Sequence, residues 1–499
     1  MKVALLYPRW TGEYGLFGHF AKRNSTWPPL SLALLASIVE KNGHEVVIVD
    51  GEADGLSTEK MVSRVLEIKP DIVGLSCYSP FFHLNEDLGK AMKEADSTIP
   101  IMVGGPHITI MREEAFRPQF DFAFVQEAED SLVQFLETYE KGADLSDVKG
   151  IIFRKDGEVV STGNPEPLTM APPTKGSNVG QHHPLDQFPF PARHLLDMSK
   201  YRLGTMHGRK HFTSIQTMRG CPWTCIFCAS EALNTTRVIM RSPESIVDEI
   251  KQVLSDTPNT THFYIVDDVM TLWKQHIIKI CDLINEAGLK ITFEGSTRAN
   301  LVDDELIAYL SKTGLIRLSF GLETTDPDMR TTMQKKVPLE AYAAANKICN
   351  KYGVEALNSM MIGLPGETRE TIKSTLKWLR NAREVKQANF AIAIPYPGTV
   401  FNEMAVEGTH GVELMSKDFS EYLRYGSAVT KVGELTPDDL IDLQNEGFVS
   451  IYSAPWRWIP TWRKHGVVGL ILTMSRVVRL WRRRLFHRSK PFRIHPGMP

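Results

Sequence analysis

Three cysteines within eight residues carry the most specific chemistry in this sequence: Cys221, Cys225 and Cys228, spaced C-x3-C-x2-C. Thiolates at this spacing can hold three corners of a [4Fe–4S] cluster and leave its fourth iron without a protein ligand. The alternatives are a structural zinc site or buried thiols, but zinc normally takes four ligands from paired C-x2-C motifs, and the sequence contains no second pair. The motif therefore predicts an iron–sulfur cluster whose open iron binds a substrate or cofactor.

The cysteine loop resembles the signature of the radical S-adenosylmethionine (SAM) enzymes, in which an aromatic residue, here Phe227, precedes the third cysteine. The resemblance implies that the open iron chelates the amino and carboxylate groups of SAM. It also implies that one electron from the cluster cleaves SAM to a 5'-deoxyadenosyl radical. Such a radical can take hydrogen from an unactivated carbon, which lies beyond side-chain acid–base chemistry.

Composition sets the outer bounds of the interpretation. The chain has 499 residues, of which 42% are hydrophobic and 23% charged, enough for a sizeable core in about two to four domains. A net charge of −2 gives no general argument for binding nucleic acid. Few cysteines, half of them in the motif, and an N-terminus that is typical of a first strand rather than a signal peptide predict a cytoplasmic protein.

Residues 1–140 alternate between short apolar runs and helical patterns, which predicts a flavodoxin-like, doubly wound parallel sheet. In such a sheet, ligands bind at the carboxyl ends of the strands. Two of these ends contain Ser76 and the sequence Gly104-Gly105-Pro106-His107, where glycine lets the backbone approach a bulky ligand closely. The predicted strands are residues 3–7, 45–50, 71–77, 101–103 and 122–125.

A domain of this kind placed before the cysteine motif resembles the cobalamin-binding domain of B12-dependent radical SAM enzymes. The Asp-x-His-x-x-Gly motif that supplies a lower cobalt ligand in many cobalamin proteins is missing. The resemblance therefore implies cobalamin with a displaced tail base, near Ser76, Gly104, Gly105 and His107. For His107, a hydrogen bond to loop neighbours and a contact with the cofactor's tail are equal alternatives, and it is not assigned as a cobalt ligand.

The second half of the chain predicts a different sheet. Residues 141–210 form a connector, with a candidate hairpin at 148–161 followed by a segment rich in Pro and Gly. Six βα units between residues 211 and 400 predict a partial (β/α)6 TIM barrel, in which residues just past each strand face the site. The cluster loop follows the first strand. The six predicted strands are residues 213–218, 261–266, 291–297, 315–320, 356–362 and 389–394.

Polar residues at the other barrel strand ends are candidates for holding SAM. Glu323 can accept hydrogen bonds from a ribose or an α-ammonium group, and Arg298 can pair with a carboxylate. The resemblance places Asp267 and Asp268 at the family's position for the SAM amino group. For each residue taken alone, the alternative is a surface ion pair or a helix cap. The expected SAM contacts are Phe227, Asp267, Arg298, Glu323 and Ile394.

Residues 401–499 predict a helical C-terminal region with a basic tail. From Gly447 to Pro499 the chain has no Asp or Glu but eleven Lys and Arg, and it includes tryptophans and the apolar segment 466–475. That segment is too short to span a bilayer. A basic helix with an apolar face can lie in an anionic membrane interface, which predicts peripheral contact with the inner membrane face. The alternatives are a helix packed on the barrel with a solvated tail, or binding to a partner.

Three functions are consistent with these features. The first is methylation of an unactivated carbon, in which one SAM supplies a methyl group to cobalamin and a second supplies the radical. The second is a non-methylating oxidative cyclase, since the two-domain layout also resembles the anaerobic cyclase of magnesium-protoporphyrin monomethyl ester. The third is a cobalamin- or cluster-based sensor. The expected partners are a small-molecule substrate, lipid-like or tetrapyrrole if the tail touches membrane, and a reducing electron donor.

Overall fold

Two large β-sheets organise the chain. Their strands are mostly apolar: the strand Lys2–Tyr7, for example, is buried over its four central residues. Strands buried on both faces need helices on both sides of the sheet, and the segments between strands supply them. The computed structural model describes residues 1–11, 25–168, 183–205 and 208–459, together with Trp462 and Val478.

The N-terminal part of the described chain contains eight strands and six α-helices. The strands are Lys2–Tyr7 (β1), Ser25–Thr26 (β2), Glu45–Asp50 (β3), Ile72–Ser76 (β4), Ile101–Gly104 (β5), Phe122–Phe124 (β6), Ile151–Lys155 (β7) and Glu158–Ser161 (β8). The helices are Leu30–Lys41, Gly51–Asp54, Thr58–Ile68, Phe82–Ala95, Pro106–Met111 and Glu129–Glu140.

The first sheet has the strand order β3-β1-β4-β5-β6-β7-β8. Strands β3, β1, β4, β5 and β6 are parallel, which confirms the predicted doubly wound N-terminal domain. The predicted hairpin does not stand alone in a connector. Its strand β7 pairs antiparallel with β6, so β7 and β8 extend this sheet to Ser161. The predicted domain limits at residues 140, 210 and 400 stay predictions.

The remaining described residues contain eleven strands and nine α-helices. The strands are Arg202–Thr205 (β9), Gly208–Ile215 (β10), Met218–Arg219 (β11), Ile239–Met240 (β12), His262–Ile265 (β13), Thr292–Thr297 (β14), Leu315–Glu323 (β15), Glu355–Ile362 (β16), Gln387–Ile392 (β17), Val412–Leu414 (β18) and Thr430–Val432 (β19). The helices are Ser230–Asn234, Pro243–Asp256, Lys274–Glu286, Asp304–Thr313, Pro327–Thr332, Leu339–Lys351, Arg369–Asn381, Val400–Glu407 and Pro437–Tyr452.

The second sheet has the strand order β17-β16-β15-β14-β13-β10-β9-β2. Six of its strands, β10 and β13 to β17, are parallel, which confirms the partial (β/α)6 barrel. At the β10 edge, strand β9 pairs antiparallel with β10, and β2 pairs antiparallel with β9. The first barrel strand ends at Ile215 rather than at residue 218, because Met218–Arg219 leaves the sheet and pairs with Ile239–Met240.

Alternate residues of the barrel strands face different environments, as the pleat of a strand requires. In β15, Leu318 and Phe320 belong to the core shared with the outer helices, whereas Ser319 between them is only half-buried. Strands β16 and β17 show the same alternation. The inner faces of β10 and β13 to β17 therefore enclose an open space, called here the barrel lumen.

A buried charge cluster closes the lumen at the amino ends of its strands. The guanidinium of Arg317 lies 3.1 Å from a carboxylate oxygen of Glu294 and 3.4 Å from one of Glu355. Their side chains are nearly inaccessible to solvent. Buried charges are tolerated when they are paired in this way. Arg317, Glu294 and Glu355 thus form a charge-compensated end of the lumen, called here the charged floor.

The helix Pro437–Tyr452 covers the open edge of the barrel at β17. Gln444 donates to the backbone oxygens of Phe390 (2.8 Å) and Arg424 (3.0 Å), and a Cβ at Gly447 would collide with the Phe390 ring. No helix within the described ranges is long and apolar enough to cross a membrane. The apolar and basic segment at 466–484 lies outside the described residues, apart from Val478.

Candidate functional site

The cluster loop, residues 219–228, leaves the carboxyl end of β10 through a tight turn at Gly220. Gly220 has φ +90°, and a Cβ there would lie 1.9 Å from the carbonyl oxygen of Arg237, so only glycine fits. Cys221, Cys225 and Cys228 are half-buried and act electrostatically on one another. The loop therefore brings the three predicted ligands together.

The donor set fits a cube of iron and sulfide better than a single ion. In the described part of the chain, no three His, Cys, Asp or Glu side chains converge on one metal ion. The thiolates of a [4Fe–4S] site bind three different irons and so need not converge. Burial raises the pKa of Cys228 to about 11 and also raises that of Cys221, so cluster assembly has to displace these protons.

Asp267 holds the start of the cluster loop. One of its carboxylate oxygens accepts hydrogen bonds from the backbone N–H groups of Thr217 (2.8 Å) and Met218 (3.1 Å). The other accepts from the hydroxyl of Thr217. Burial raises the pKa of Asp267 to about 6, although these hydrogen bonds act to lower it. Both oxygens of the carboxylate thus accept hydrogen bonds from the start of the cluster loop. The predicted contact of Asp267 with SAM stays a prediction.

Asp268 is better placed to face a ligand than Asp267. Its side chain is exposed, accepts a hydrogen bond from the Ser230 hydroxyl at 2.8 Å, and acts electrostatically on Cys221 and Cys228. An exposed carboxylate beside two cluster thiols suits an ammonium group. Of the two adjacent aspartates, the structure thus assigns the loop-holding role to Asp267 and leaves Asp268 available.

Lys335 is a site residue that sequence reasoning missed. Its ammonium lies 2.7 Å from Glu323, both side chains are buried, and it stands 5.9 Å from the ring centre of Phe227. Burial opposes the charged form, but the Glu323 carboxylate together with Tyr342 and Cys225 outweighs it, so the pKa of Lys335 is raised. A Cβ at Gly321 would lie 2.3 Å from Glu323 and 2.5 Å from the Lys335 ammonium, so the pair covers this glycine. Gly321 lies near the carboxyl ends of the barrel strands, and this end of the lumen is called here its mouth.

The segment that carries Lys335 supports the cluster loop directly. The N–H of Ile226 donates to the carbonyl of Met333 at 3.4 Å, and the Thr224 hydroxyl donates to Gln334 at 2.9 Å. No motif marks these contacts in the sequence, because they join residues more than a hundred positions apart. The lysine is therefore held beside the loop by its own backbone surroundings as well as by Glu323.

Arg298 and Ile394 lie at barrel strand ends in different environments. The Arg298 guanidinium stacks 4.0 Å from the ring centre of Trp223, inside the cluster loop, and its charge acts on Cys221. Ile394 is 2% exposed and belongs to the apolar core with the outer helices. The structure brings Phe227, Arg298 and Glu323 to the cluster loop, whereas it places the Ile394 side chain in the core.

A cavity of about 590 Å³ lies between the N-terminal sheet and the barrel. The carboxyl ends of β4 and β5 contribute Ser76, Gly104 and Gly105 to its wall. Barrel residues Gln216 and Val266 line it from the other side. Its volume lies in the usual range for small-molecule and cofactor sites. Three of the four residues predicted to contact cobalamin therefore share one cavity.

Gly105 shows why this wall requires glycine. Its φ is +103°, and a Cβ would lie 2.9 Å from the carbonyl oxygen of Cys77. The bare backbone of residues 104 and 105 leaves the cavity continuous between the strand ends and the sheet interior, where Leu5 and Met102 also line it. A deep, largely apolar slot with a glycine wall fits a flat, bulky cofactor with an inserted tail.

His107 does not line the cavity. Its Nδ1 lies 3.0 Å from the Ser79 hydroxyl, and its ring packs against Phe82 (4.2 Å) and Phe419 (4.8 Å). Burial, with a smaller effect from Arg117, lowers its pKa to about 4, which keeps the imidazole neutral at pH 7. Of the two alternatives, the structure favours the local hydrogen bond over a contact with the cofactor's tail.

Arg219 joins the cluster loop to the N-terminal sheet. Its guanidinium lies 2.5 Å from Glu129 and 3.7 Å from Glu127, and Arg237 pairs with Glu127 at 3.1 Å. Arg219 and both carboxylates line the cavity. The glutamates belong to the sequence Gln126-Glu-Ala-Glu129, and their pairing with Arg219 is visible only in the structure.

Comparisons with known proteins agree with this arrangement. Residues 19–136 match the family model of the B12 binding domain, and residues 215–379 match that of the radical SAM superfamily. An uncharacterized methyltransferase of Pyrococcus horikoshii is 29% identical, over 86% of this chain and 89% of the relative. The anaerobic magnesium-protoporphyrin IX monomethyl ester cyclase of Rubrivivax gelatinosus is 26% identical, over 89% and 76%.

A solved structure shares the fold over nearly the whole length. The radical SAM methyltransferase TsrM of Kitasatospora setae, solved with cobalamin and a [4Fe–4S] cluster, superposes with a TM-score of 0.70 at 14% identity, covering 97% of this chain and 99% of that one. The chain belongs to the cobalamin-binding radical SAM enzymes. Its cofactors are accordingly a [4Fe–4S] cluster, SAM and cobalamin.

Removal of one cluster ligand tests the assignment of the loop. Cys225→Ala is expected to abolish reductive cleavage of SAM and to leave cobalamin binding intact, because the cavity is lined by other residues. Mass spectrometry of 5'-deoxyadenosine and the absorbance of bound cobalamin measure the two properties. Cys281→Ala, which removes a buried thiol on the helix Lys274–Glu286, is the matched control and should retain cleavage. Deoxyadenosine formation by Cys225→Ala would contradict the assignment.

Substitutions of Lys335 and of Glu323 should shift the reduction potential of the cluster in opposite directions. Lys335→Met removes a positive charge beside the cluster loop and is expected to make the reduction potential more negative, by on the order of tens of millivolts. Glu323→Gln leaves the lysine uncompensated and should shift the potential in the positive direction. Redox titration followed by electron paramagnetic resonance, without SAM, measures both.

The exposed neighbour Lys336 supplies the control for this titration, since Lys336→Met should leave the potential unchanged. Shifts of the same sign in the Lys335 and Glu323 variants would show a structural effect of the pair and not an electrostatic one.

Proposed function

We propose that this enzyme methylates an unactivated carbon of a small-molecule substrate. The observation that carries the proposal is the cavity whose wall is formed by residues of both halves of the chain. Gly104 and Gly105 line one wall, and Gln216, Arg219 and Val266 line the other. A group held at the glycines stands next to the carboxyl ends of the barrel strands, as the transfer of a one-carbon group to a substrate in the barrel requires.

The chain's own residues position and enclose the reactants. When bound, the cluster supplies the electron for SAM cleavage and cobalamin supplies a carrier for the methyl group. Asp267 fixes the start of the cluster loop, and Arg298 and Lys335 place positive charge beside it. The outer helices pack against the backs of the barrel strands, and the charged floor at Arg317 closes their amino ends.

Methylation and a non-methylating oxidative cyclisation are the two reactions that the same radical chemistry could perform here. The methyltransferase name of the Pyrococcus relative supports methylation, and the cyclase name of the Rubrivivax relative supports the non-methylating alternative. The interdomain cavity favours methylation because it opens towards the barrel. A sensor without turnover is disfavoured because a sensor needs no open lumen beside the cluster loop. Either enzymatic outcome requires an external electron donor.

A second proposal concerns position in the cell: the C-terminal end rests on an anionic membrane surface. Trp456, Trp458, Ile459 and Trp462 are exposed, and ten of the chain's basic residues follow them. The intervening Arg457 is fully buried and donates to the carbonyls of Leu379 (2.5 Å), Ala382 (3.2 Å) and Val385 (2.9 Å). Apolar rings held outward beside basic residues suit an anionic interface.

Product analysis is the experiment that tests methylation. The protein is reconstituted anaerobically with iron, sulfide and hydroxocobalamin, reduced, and incubated with SAM before mass spectrometry. Methylation predicts both 5'-deoxyadenosine and S-adenosylhomocysteine, because the two products report radical formation and methyl donation separately. Deoxyadenosine alone, in the presence of the true substrate, would favour the cyclase-like outcome. Absence of both products, with both cofactors bound, would contradict an enzymatic role.

Flotation with detergent-free liposomes tests the membrane proposal. The full chain is expected to float with vesicles rich in phosphatidylglycerol and to stay in the bottom fraction with pure phosphatidylcholine, because the attraction is electrostatic. A chain truncated after Ile459 removes the basic residues but keeps Arg457, and should not float. If it floats as well as the full chain, the tail does not bind membrane.

A further inference from the structure

The barrel lumen is lined by hydroxyl and amide groups. Tyr264, Ser296, Ser319, Ser359 and Asn389 occupy inner-face positions and are half-buried, whereas their strand neighbours pack in the apolar core. Ser296 pairs in register with Ser319, and Ser359 with Asn389. The buried amide oxygen of Asn389 has no hydrogen-bond partner within the described chain. A chamber of this kind suits a polar ligand rather than a hydrocarbon.

Most cations around the lumen are already compensated. Arg317 at the floor lies between Glu294 and Glu355, and Lys335 at the mouth pairs with Glu323. A charge that is fully paired has little remaining attraction for a ligand. Arg298, which also has no ion pair among the described residues, stacks on Trp223 beside the cluster loop, where SAM is its expected ligand. A further unpaired cation is therefore the candidate for binding an anionic group of the substrate.

Arg424 is such a cation. Its backbone carbonyl accepts hydrogen bonds from the N–H of Ile392 (2.8 Å) and from Gln444 (3.0 Å), which fixes it beside the carboxyl end of β17. Its side chain is exposed, and its guanidinium makes no ion pair or hydrogen bond with any described residue. The backbone is thus rigidly held while the charged group is uncommitted.

The Arg424 charge acts on three half-buried tyrosines. Burial raises the pKa values of Tyr264, Tyr396 and Tyr425, and the Arg424 charge acts to lower each of them. Tyr264 lies on β13, and three strands separate β13 from β17 in the sheet. The backbone anchor of Arg424 beside the carboxyl end of β17, together with an effect on the inner-face residue Tyr264 of β13, supports a guanidinium on the lumen side of that strand end.

We propose that Arg424 binds an anionic group of the substrate, a carboxylate or a phosphoryl group, inside the barrel lumen. This inference rests on the proposed function, since it names the substrate class of that site. A guanidinium presents paired N–H donors that match both kinds of anion. Ser359 and Asn389 on the neighbouring strands are left to bind polar groups of the same substrate.

Chemical footprinting of the reconstituted holoenzyme tests the proposal without knowledge of the substrate. Phenylglyoxal modifies accessible guanidinium groups, and mass spectrometry of peptides reads each arginine separately. Arg424 should be modified readily, and inorganic phosphate or acetate should slow its modification several-fold. Arg380 is the matched control: it is exposed, lies on the outer helix Arg369–Asn381, and should not be protected. Protection by phosphate alone indicates a phosphoryl group, and protection by acetate alone indicates a carboxylate.

Three results would overturn the inference: no protection by either anion, equal protection of Arg380, or protection by SAM alone, which would mean that Arg424 binds the SAM carboxylate. In a second measurement, phosphate should raise the melting temperature of the wild type more than that of Arg424→Gln. The outcome is separable from that of the proposed function. Missing methylation products with an intact footprint would refute methylation only, and methylation without protection would refute only the role of Arg424.

Discussion

The rest of the structure depends on the ion pairs of Arg219, because they fix the cluster loop against the N-terminal sheet. Arg219 precedes Cys221 by two residues, and its guanidinium is held by Glu127 in the loop after β6 and by Glu129 at the start of the helix that follows. Removing one partner of a buried ion pair costs about 3–5 kcal/mol, because the other charge is left uncompensated. Both walls of the cavity meet at this contact, which sets the cluster loop against the strand ends of the N-terminal sheet.

The distribution of charge in the barrel follows one physical rule. Far from solvent, at the floor, Arg317 is compensated by two carboxylates and can only support the fold. At the mouth, Lys335 has one carboxylate partner and lies beside the thiolates, so its charge also acts on the cluster loop. Arg424, which lacks a partner among the described residues, is available for a ligand. The cations near the mouth of the lumen are thus more available to bind a ligand than the cation at its floor.

The cluster loop and both sheets were predictable from the sequence because their signals are local. A cysteine spacing, a run of apolar residues or a helical period is contained in a short window, and the bounds differ from the structure by a few residues, as at β10. The contacts that complete the site are not local. Lys335 meets the cluster loop a hundred residues earlier, Arg219 meets Glu129, and the Arg424 charge acts on Tyr264. Only the folded chain brings these pairs together. His107 was ambiguous for the same reason, since its partner Ser79 comes from another strand end.

The proposed membrane contact and the cluster loop lie at opposite ends of the barrel. Arg457 caps the carbonyls at the carboxyl end of the helix Arg369–Asn381, which leads into the start of β17, so the exposed tryptophans lie at the amino ends of the barrel strands. The cluster loop and the cavity lie at the opposite, carboxyl ends. A membrane bound at the tryptophans would therefore hold the enzyme in place without opening the lumen to lipid chains. Together with the hydroxyl groups in the lumen and the proposed role of Arg424, this arrangement favours a polar, anionic substrate that enters from the aqueous side.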